Sequence, residues 1–288
     1  MSCEGFMLRL NARKNDKKRN AKYRIPEEVT YVRNLSYGPD PKYHTLDLCY
    51  PRDAEDDLPV IISVHGGGYV YGSSSVYQFY CADLAKRGFL VVNFNYRLAP
   101  KHRFPAPLED LSRVTDWILS HQYAYPFDTE NVFLVGDSAG AQIASNYAAI
   151  YANEEYRSLF GFEKPEITIR AVALCCGFYD LKGRMNVKGI IRDYLGKHPE
   201  KYGEKLNVLD HIREGYPPTY LFTSHGDFLI AECEPMADLL KERGIECVDE
   251  VYGDEKTGHV FHVDIEGPYA ARANDDVTAF FRQHLQKK

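Results

Sequence analysis

The residues most able to do chemistry lie in Gly136-Asp137-Ser138-Ala139-Gly140. A serine between two glycines, each two positions away, suits a hydroxyl at a sharp and strained turn whose neighbours must lack bulk. The flanks make the pattern specific. Val132-Phe133-Leu134-Val135 reads as a strand buried on both faces, and the Ala-rich stretch to Ala152 reads as a helix. Strand, tight turn and helix make Ser138 a candidate nucleophile for acyl transfer; the plainer alternative is a helix start capped by Asp137 or Ser138.

Such a serine needs a base, a group to orient the base, and donors for the developing oxyanion. His65-Gly66-Gly67-Gly68-Tyr69 follows an apolar strand ending at Val64, and successive glycines let backbone N–H groups converge on one oxygen. A further donor is expected from the N–H of Ala139, and His65 is expected to brace the glycine loop. The orienting acid should end a later strand. Asp227, in His225-Gly226-Asp227 after Thr219–Ser224, fits better than Asp249 or Glu250 inside the next strand, or Asp254 close to the base. The base should come last, in the order Ser, Asp, His. His259, after Gly258 at a loop tip, is preferred to His262.

Rival chemistries find less support. His259 and His262 have no His-Glu-x-x-His pattern or cysteine cluster, and the glycine loops lack a Gly-Lys-Ser/Thr ending, so no metal and no cofactor is expected. The net charge of −6 gives no support for a nucleic-acid partner. It is unevenly spread: residues 1–24 carry eight Lys/Arg against two acids, a run read as a solvated helix face. Seven cysteines show neither metal spacing nor a disulfide framework, and Cys175-Cys176 sit in an apolar run as small hydrophobes. With no signal peptide evident and no apolar run long enough to span a bilayer, cytoplasm is the expected location.

The elements that must hold these residues alternate. Strands are expected near 29–37, 45–50, 59–64, 89–95, 131–135, 167–175, 219–224 and 247–252. Helices are expected near 76–87, 106–121, 234–243 and 268–285, and one after Ser138. That spacing predicts a mainly parallel central sheet covered by helices on both faces, with the first two strands as an antiparallel edge. Residues 1–28 read as a polar, partly helical arm. Residues 177–217 hold helical pieces without a strand and are too long for a bare loop, so an inserted helical cap is expected there.

With these residues in hand, the chain resembles the hormone-sensitive-lipase-like branch of the α/β-hydrolase carboxylesterases. The likeness rests on the His65 and Ser138 strings and on a third, Tyr96-Arg97-Leu98-Ala99-Pro100-Lys101-His102-Arg103-Phe104-Pro105-Ala106-Pro107 with Asp110 beyond. The resemblance implies one α/β-hydrolase domain over residues 1–288, with 1–28 and 177–217 as its cap. It implies Ser138, Asp227 and His259 as the triad, Gly67, Gly68 and Ala139 as the oxyanion hole, and a structural pair in Arg97 and Asp110. Ala141 and Val260 depart from the commoner glycines at their positions.

The implied activity is hydrolysis of short-chain acyl esters, with an acylated sugar as one candidate small-molecule substrate. Tyr179, Asp180, Tyr194, His198 and Tyr202 are the residues that would suit stacking on a sugar. An amidase or peptidase on the same triad, and a ligand-binding pseudohydrolase, are the alternatives. A homodimer is compatible with the chain.

Overall fold

The computed structural model describes residues 1–183 and 188–286, so residues 184–187 of the expected cap segment lie outside the described residues. Eight strands form one sheet, in the order β1 (Val29–Ser36), β2 (Thr45–Pro51), β4 (Leu90–Phe94), β3 (Leu58–Val64), β5 (Phe127–Asp137), β6 (Ile169–Cys175), β7 (Thr219–Ser224) and β8 (Cys247–Tyr252). β2 runs antiparallel to both β1 and β4, and β3 through β8 pair in parallel. The fold is thus an α/β-hydrolase fold with the expected antiparallel edge.

The apolar runs explain the sheet. β3, β4, β5 and β6 are buried along most of their length, because helices cover both faces and leave no side for water. One face packs α3 (Ala106–Ser120), α4 (Ala139–Ala152), α5 (Glu154–Phe160) and α7 (Cys233–Glu242), through Leu111, Ile143 and Met236 among others. The other packs α2 (Ser74–Ala85) and α8 (Ala270–Gln283), through Leu84 and Phe281. β5 is longer than the apolar run alone suggests: Phe127 and Asp128 already pair with Leu58 and Pro59 before a register irregularity at Val60. α4 ends at Ala152, as the sequence suggests, but the short helix α5 after it was not expected. Asn153 ends α4 and caps α5, its side chain accepting from the Tyr156 N–H at 3.1 Å.

Two further elements lie over the C-terminal ends of the strands. α1 (Cys3–Asn20) is one continuous 18-residue helix. It is pinned along its inner face: Ser2 donates from N and Oγ to the Asp193 carboxylate, Arg9 to Val70 O at 2.6 Å, and Arg19 to Val76 O at 3.0 Å. Asp16 accepts from Tyr71 Oη at 2.8 Å. α6 (Gly189–Leu195) lies beneath the first turns of α1, and tight 3-10 turns follow at Pro199–Leu206 and Val208–His211. A single bridge joins Asp180 to Asn207, so no ladder forms in this segment among the described residues.

Candidate active site

The loops after β3, β5, β7 and β8 meet under α1 and enclose a cavity of about 460 Å³. Ser138, His259, Gly67, Gly68 and Ala139 all line it.

Ser138 occupies the turn between β5 and α4 with φ 53° and ψ −120°, a region that side chains avoid. The turn is held from two sides. The Ser138 N–H donates to Cys175 O at 2.8 Å, and the glycines admit backbone where a Cβ would sit. A Cβ on Gly140 would lie 2.0 Å from Val64 O, and one on Gly136 would lie 2.4 Å from Gly140 O. Ala139 opens α4, so its N–H is one of the first-turn donors with no acceptor inside the helix. The positive end of the helix dipole adds to the pull on a developing oxyanion.

The glycine loop is braced from beneath. His65 is buried, stacks on Tyr96 with centroids 4.1 Å apart, and its Nδ1 meets Gly66 O at 2.8 Å. Burial pushes its pKa down to about 4, which keeps the ring neutral and reserves it for packing. Gly67 has φ +115°, and a Cβ there would meet Tyr71 O at 2.3 Å. The Gly66 N–H donates to Tyr77 Oη at 3.0 Å, and Tyr77 Oη donates in turn to Asp137 Oδ2 at 2.7 Å. Asp137, the residue before Ser138, is therefore tied to the glycine loop. Its burial raises the carboxyl pKa to about 6, against hydrogen bonds that favour the anion.

Asp227 follows β7 and is almost fully buried. Its Oδ1 accepts from the Leu229 N–H at 3.0 Å and meets His259 Nδ1 at 2.6 Å, while Oδ2 accepts from Thr223 Oγ1 at 2.7 Å. Burial alone would raise this carboxyl, but the hydrogen bonds and the imidazole prevail and hold it at about 2. For His259 burial works to lower the pKa, and the hydrogen bonds and charges of Asp227 and Cys176 overcome it, taking it to about 9. Two links sew the acid and base loops together: Gly226 N–H to Thr257 O at 3.1 Å, and Ser224 Oγ to Gly258 O at 3.1 Å.

The rejected candidates sit elsewhere. His262 is fully buried between Tyr80 and Phe222, with Nδ1 3.1 Å from Cys175 Sγ, and burial lowers its pKa to about 3. Asp249 pairs with Lys241 at 2.6 Å on the surface, and Asp254 holds the turn to Thr257. Arg97 and Asp110 pair as expected: the Arg97 N–H and Nε donate to Asp110 at 2.7 and 2.8 Å, and Arg97 also reaches Glu109. The tyrosines suggested for sugar stacking belong to the core. Tyr179 is buried, Tyr194 stacks on Tyr69 at 3.7 Å, and Tyr202 meets Phe104 edge-on, so none lines the cavity. In a cap this short, large aromatics are needed to fill the space between roof and sheet.

Sequence reasoning missed Cys176. It lies just past β6 at φ 49°, buried, and its Sγ falls within 4.8 Å of the ligating atoms of His259 and Asp227. The hydrogen bond from Cys175 lowers its pKa most and His259 lowers it further, against burial. Its position after the strand opposite the nucleophile turn was the available signal; the adjacent Cys175 and the apolar run hid it.

A family profile described as alpha/beta hydrolase fold matches residues 61–263, more than half of the chain, and the chain belongs to that family. The chain spans less than two thirds of the length of several curated relatives that it matches, among them 62% of tuliposide A-converting enzyme 1 of Tulipa gesneriana, to which it is 25% identical over 253 residues. Esterase B from Lactobacillus rhamnosis superposes with a TM-score of 0.87 at 26% identity, covering 95% of this chain and 91% of that one. Carboxylesterase 20 of Arabidopsis thaliana is 28% identical over 237 residues, spanning 73% of this chain and 70% of its own length. The gibberellin receptor GID1B of Arabidopsis thaliana is 33% identical over 123 residues, but that match spans 41% of this chain and 34% of the receptor.

Proposed function

We propose that the protein is a serine carboxylesterase acting on short-chain acyl esters through Ser138, His259 and Asp227. The observation that carries this reading is one cavity lined by both a strained serine and a histidine whose Nδ1 is held 2.6 Å from a buried carboxylate. His259 takes the Ser138 proton as Oγ attacks the carbonyl, and Asp227 fixes the tautomer that leaves Nε2 free to act. The N–H groups of Gly67, Gly68 and Ala139 receive the oxyanion; each such donor contributes about 3 kcal/mol in comparable sites. His259 then returns the proton to the leaving alcohol, and water releases the acid.

The walls support a small apolar acyl group. Leu8 and Ala12 of α1, Phe178, Ile190 and Ile191 face the cavity, so α1 and the 177–217 segment act as its cap. Asp16 and Arg19 sit among the lining residues but are engaged with each other at 2.8 Å. An acetyl group on a sugar stays within this reading only with the sugar turned toward the open side. Among the described residues no helix is long and apolar enough to cross a membrane. Seven unpaired cysteines fit a reducing compartment such as cytoplasm. The test is kcat/KM on p-nitrophenyl esters from acetate to decanoate, with Ser138→Ala as the control. A maximum at acetate to butyrate, absent in the variant, is expected. A maximum at the longest chains would overturn the short-chain reading, and unchanged turnover in the variant would overturn the role of Ser138.

A further inference from the structure

Several of the large apolar side chains that stay exposed lie on or beside α1, the helix whose inner face covers the cavity. Among the described residues the exposed ones include Met1, Phe6, Met7 and Leu10 on or beside α1, and, elsewhere, Phe228, whose ring lies tilted against His259 with centroids 4.3 Å apart. Phe6, Met7 and Leu10 are each about half exposed, and Phe228 is 76% exposed. An isolated surface apolar residue needs no explanation; four on or beside one helix do.

The outer face of α1 is also ordered along its axis. Residues 3, 6, 7, 10, 13, 14, 17 and 18 share the side of the helix turned away from the protein, as their spacing of three and four requires. The first half of this face is apolar, with Phe6, Met7 and Leu10, and the second half is basic, with Arg13, Lys14, Lys17 and Lys18. Those four cations are exposed, and no ion pair engages them among the described residues. Basic residues in a last turn stabilise a helix dipole, which accounts for Lys17 and Lys18 on their own. It does not account for the apolar half.

We propose that this outer face of α1 docks on an anionic lipid surface. The apolar half sinks among the acyl chains while the basic half meets the phosphates, the arrangement by which an interfacial helix lies on a membrane. The rest of the chain orients the approach. Residues 1–24 carry eight Lys/Arg against two acids while the whole protein has a charge of −6, so an anionic surface attracts the helix and repels the body. The inner-face contacts from Ser2, Arg9, Asp16 and Arg19 keep α1 on the protein while its outer face is occupied. A second copy fits less well, because a two-fold contact sets the same patch against itself and offers its four cations no acid from that face. Docking itself needs no hydrolysis. Its consequence, that the substrate is a short-chain ester dissolved in the lipid surface, rests on the esterase reading above.

The experiment is flotation of the full chain with vesicles of phosphatidylcholine alone, or of phosphatidylcholine and phosphatidylserine in equal parts, at low and high salt. Two triple variants accompany it, Phe6→Ser/Met7→Ser/Leu10→Ser and Lys14→Glu/Lys17→Glu/Lys18→Glu. The wild type is expected to float with the mixed vesicles at low salt and much less with phosphatidylcholine or at high salt. Each variant should lose roughly tenfold or more in apparent affinity while turning over soluble p-nitrophenyl acetate like the wild type. Failure of the wild type to float, or equal flotation of the variants, overturns the proposal. So does a wild-type dimer in light scattering that the serine variant dissolves, since a second copy then covers the face. A wild type that floats but hydrolyses no ester leaves the docking surface standing and removes the esterase reading instead.

Discussion

The floor and the roof of the cavity are built on opposite principles. The floor is held through its backbone: Ser138 N–H on Cys175 O, Gly226 N–H on Thr257 O, and, by way of two buried side chains, Gly66 N–H on the Tyr77 hydroxyl, which rests on Asp137. Glycines there are required by contacts near 2 Å. The roof is side chain against side chain, with Leu8 of α1 and Ile190 of α6 over Gly68 and a few long polar links from α1 to the body. On the proposed mechanism, chemistry that needs sub-ångström placement is housed where few substitutions are tolerated, whereas selectivity is housed where many are.

The largest effect expected from breaking the floor is at its centre. Ser138→Ala should lower kcat by about 10⁴-fold or more while the far-ultraviolet circular dichroism stays unchanged. Turnover within tenfold of the wild type would remove Ser138 from the mechanism. Next comes Gly140→Ala, whose Cβ is driven onto Val64 O, a backbone atom that cannot rotate away. Overpacking of this kind costs about 3 kcal/mol. Urea unfolding would detect it, and a midpoint equal to that of the wild type would show that the floor gives more than its contacts suggest.

The pH profile sharpens the contrast within the floor itself. His259 must be neutral to accept the Ser138 proton, and its pKa is raised to about 9. Values of kcat/KM should therefore climb with pH from neutrality, pass half-maximum near 9 and level off above it. Cys176→Ala removes one of the two residues that raise it, so the plateau should begin at lower pH; an unmoved limb would mean that Asp227 alone sets the base. The linked stability has a defined sign. A histidine raised from 6.5 stabilises the fold fully below pH 6.5, and that contribution is lost as the pH rises through about 9. The roof should give the smallest response. Leu8→Ala widens the space above Gly68 and should shift preference toward longer acyl chains by several-fold at nearly constant acetate turnover. An equal loss on every ester would show that α1 also positions the floor.

What was legible in the sequence follows the same division. Ser138, the glycine loop and the alternating elements could be read because backbone constraint limits each position to few residue types. That Asp227 and His259 would meet could be read because strand ends and chain order limit where they fall. The tyrosines of 177–217 could not be placed, since an aromatic ring lines a pocket or fills a core with equal ease, and here the core claimed them. The basic run before Arg24 had one visible property, charge. Only the course of α1 across the strand ends separates its inner face, committed to Asp193, Val70 and Val76, from the outer one. Cys176 and the Tyr77–Asp137 link were hidden because they join parts of the chain far apart in sequence.

The two bonds between the loops after β7 and β8 have a mechanical consequence. They make the carboxylate and the imidazole one body, while the serine belongs to another, the rigid corner of β5 and α4. On the proposed mechanism a single gap, between Oγ and the imidazole, then remains adjustable, and it behaves like the opening of a clasp with two stiff leaves. Warming would widen that gap before it parted the acid from the base. Loss of turnover would then run ahead of unfolding, with the histidine's raised pKa surviving until the fold itself gives way.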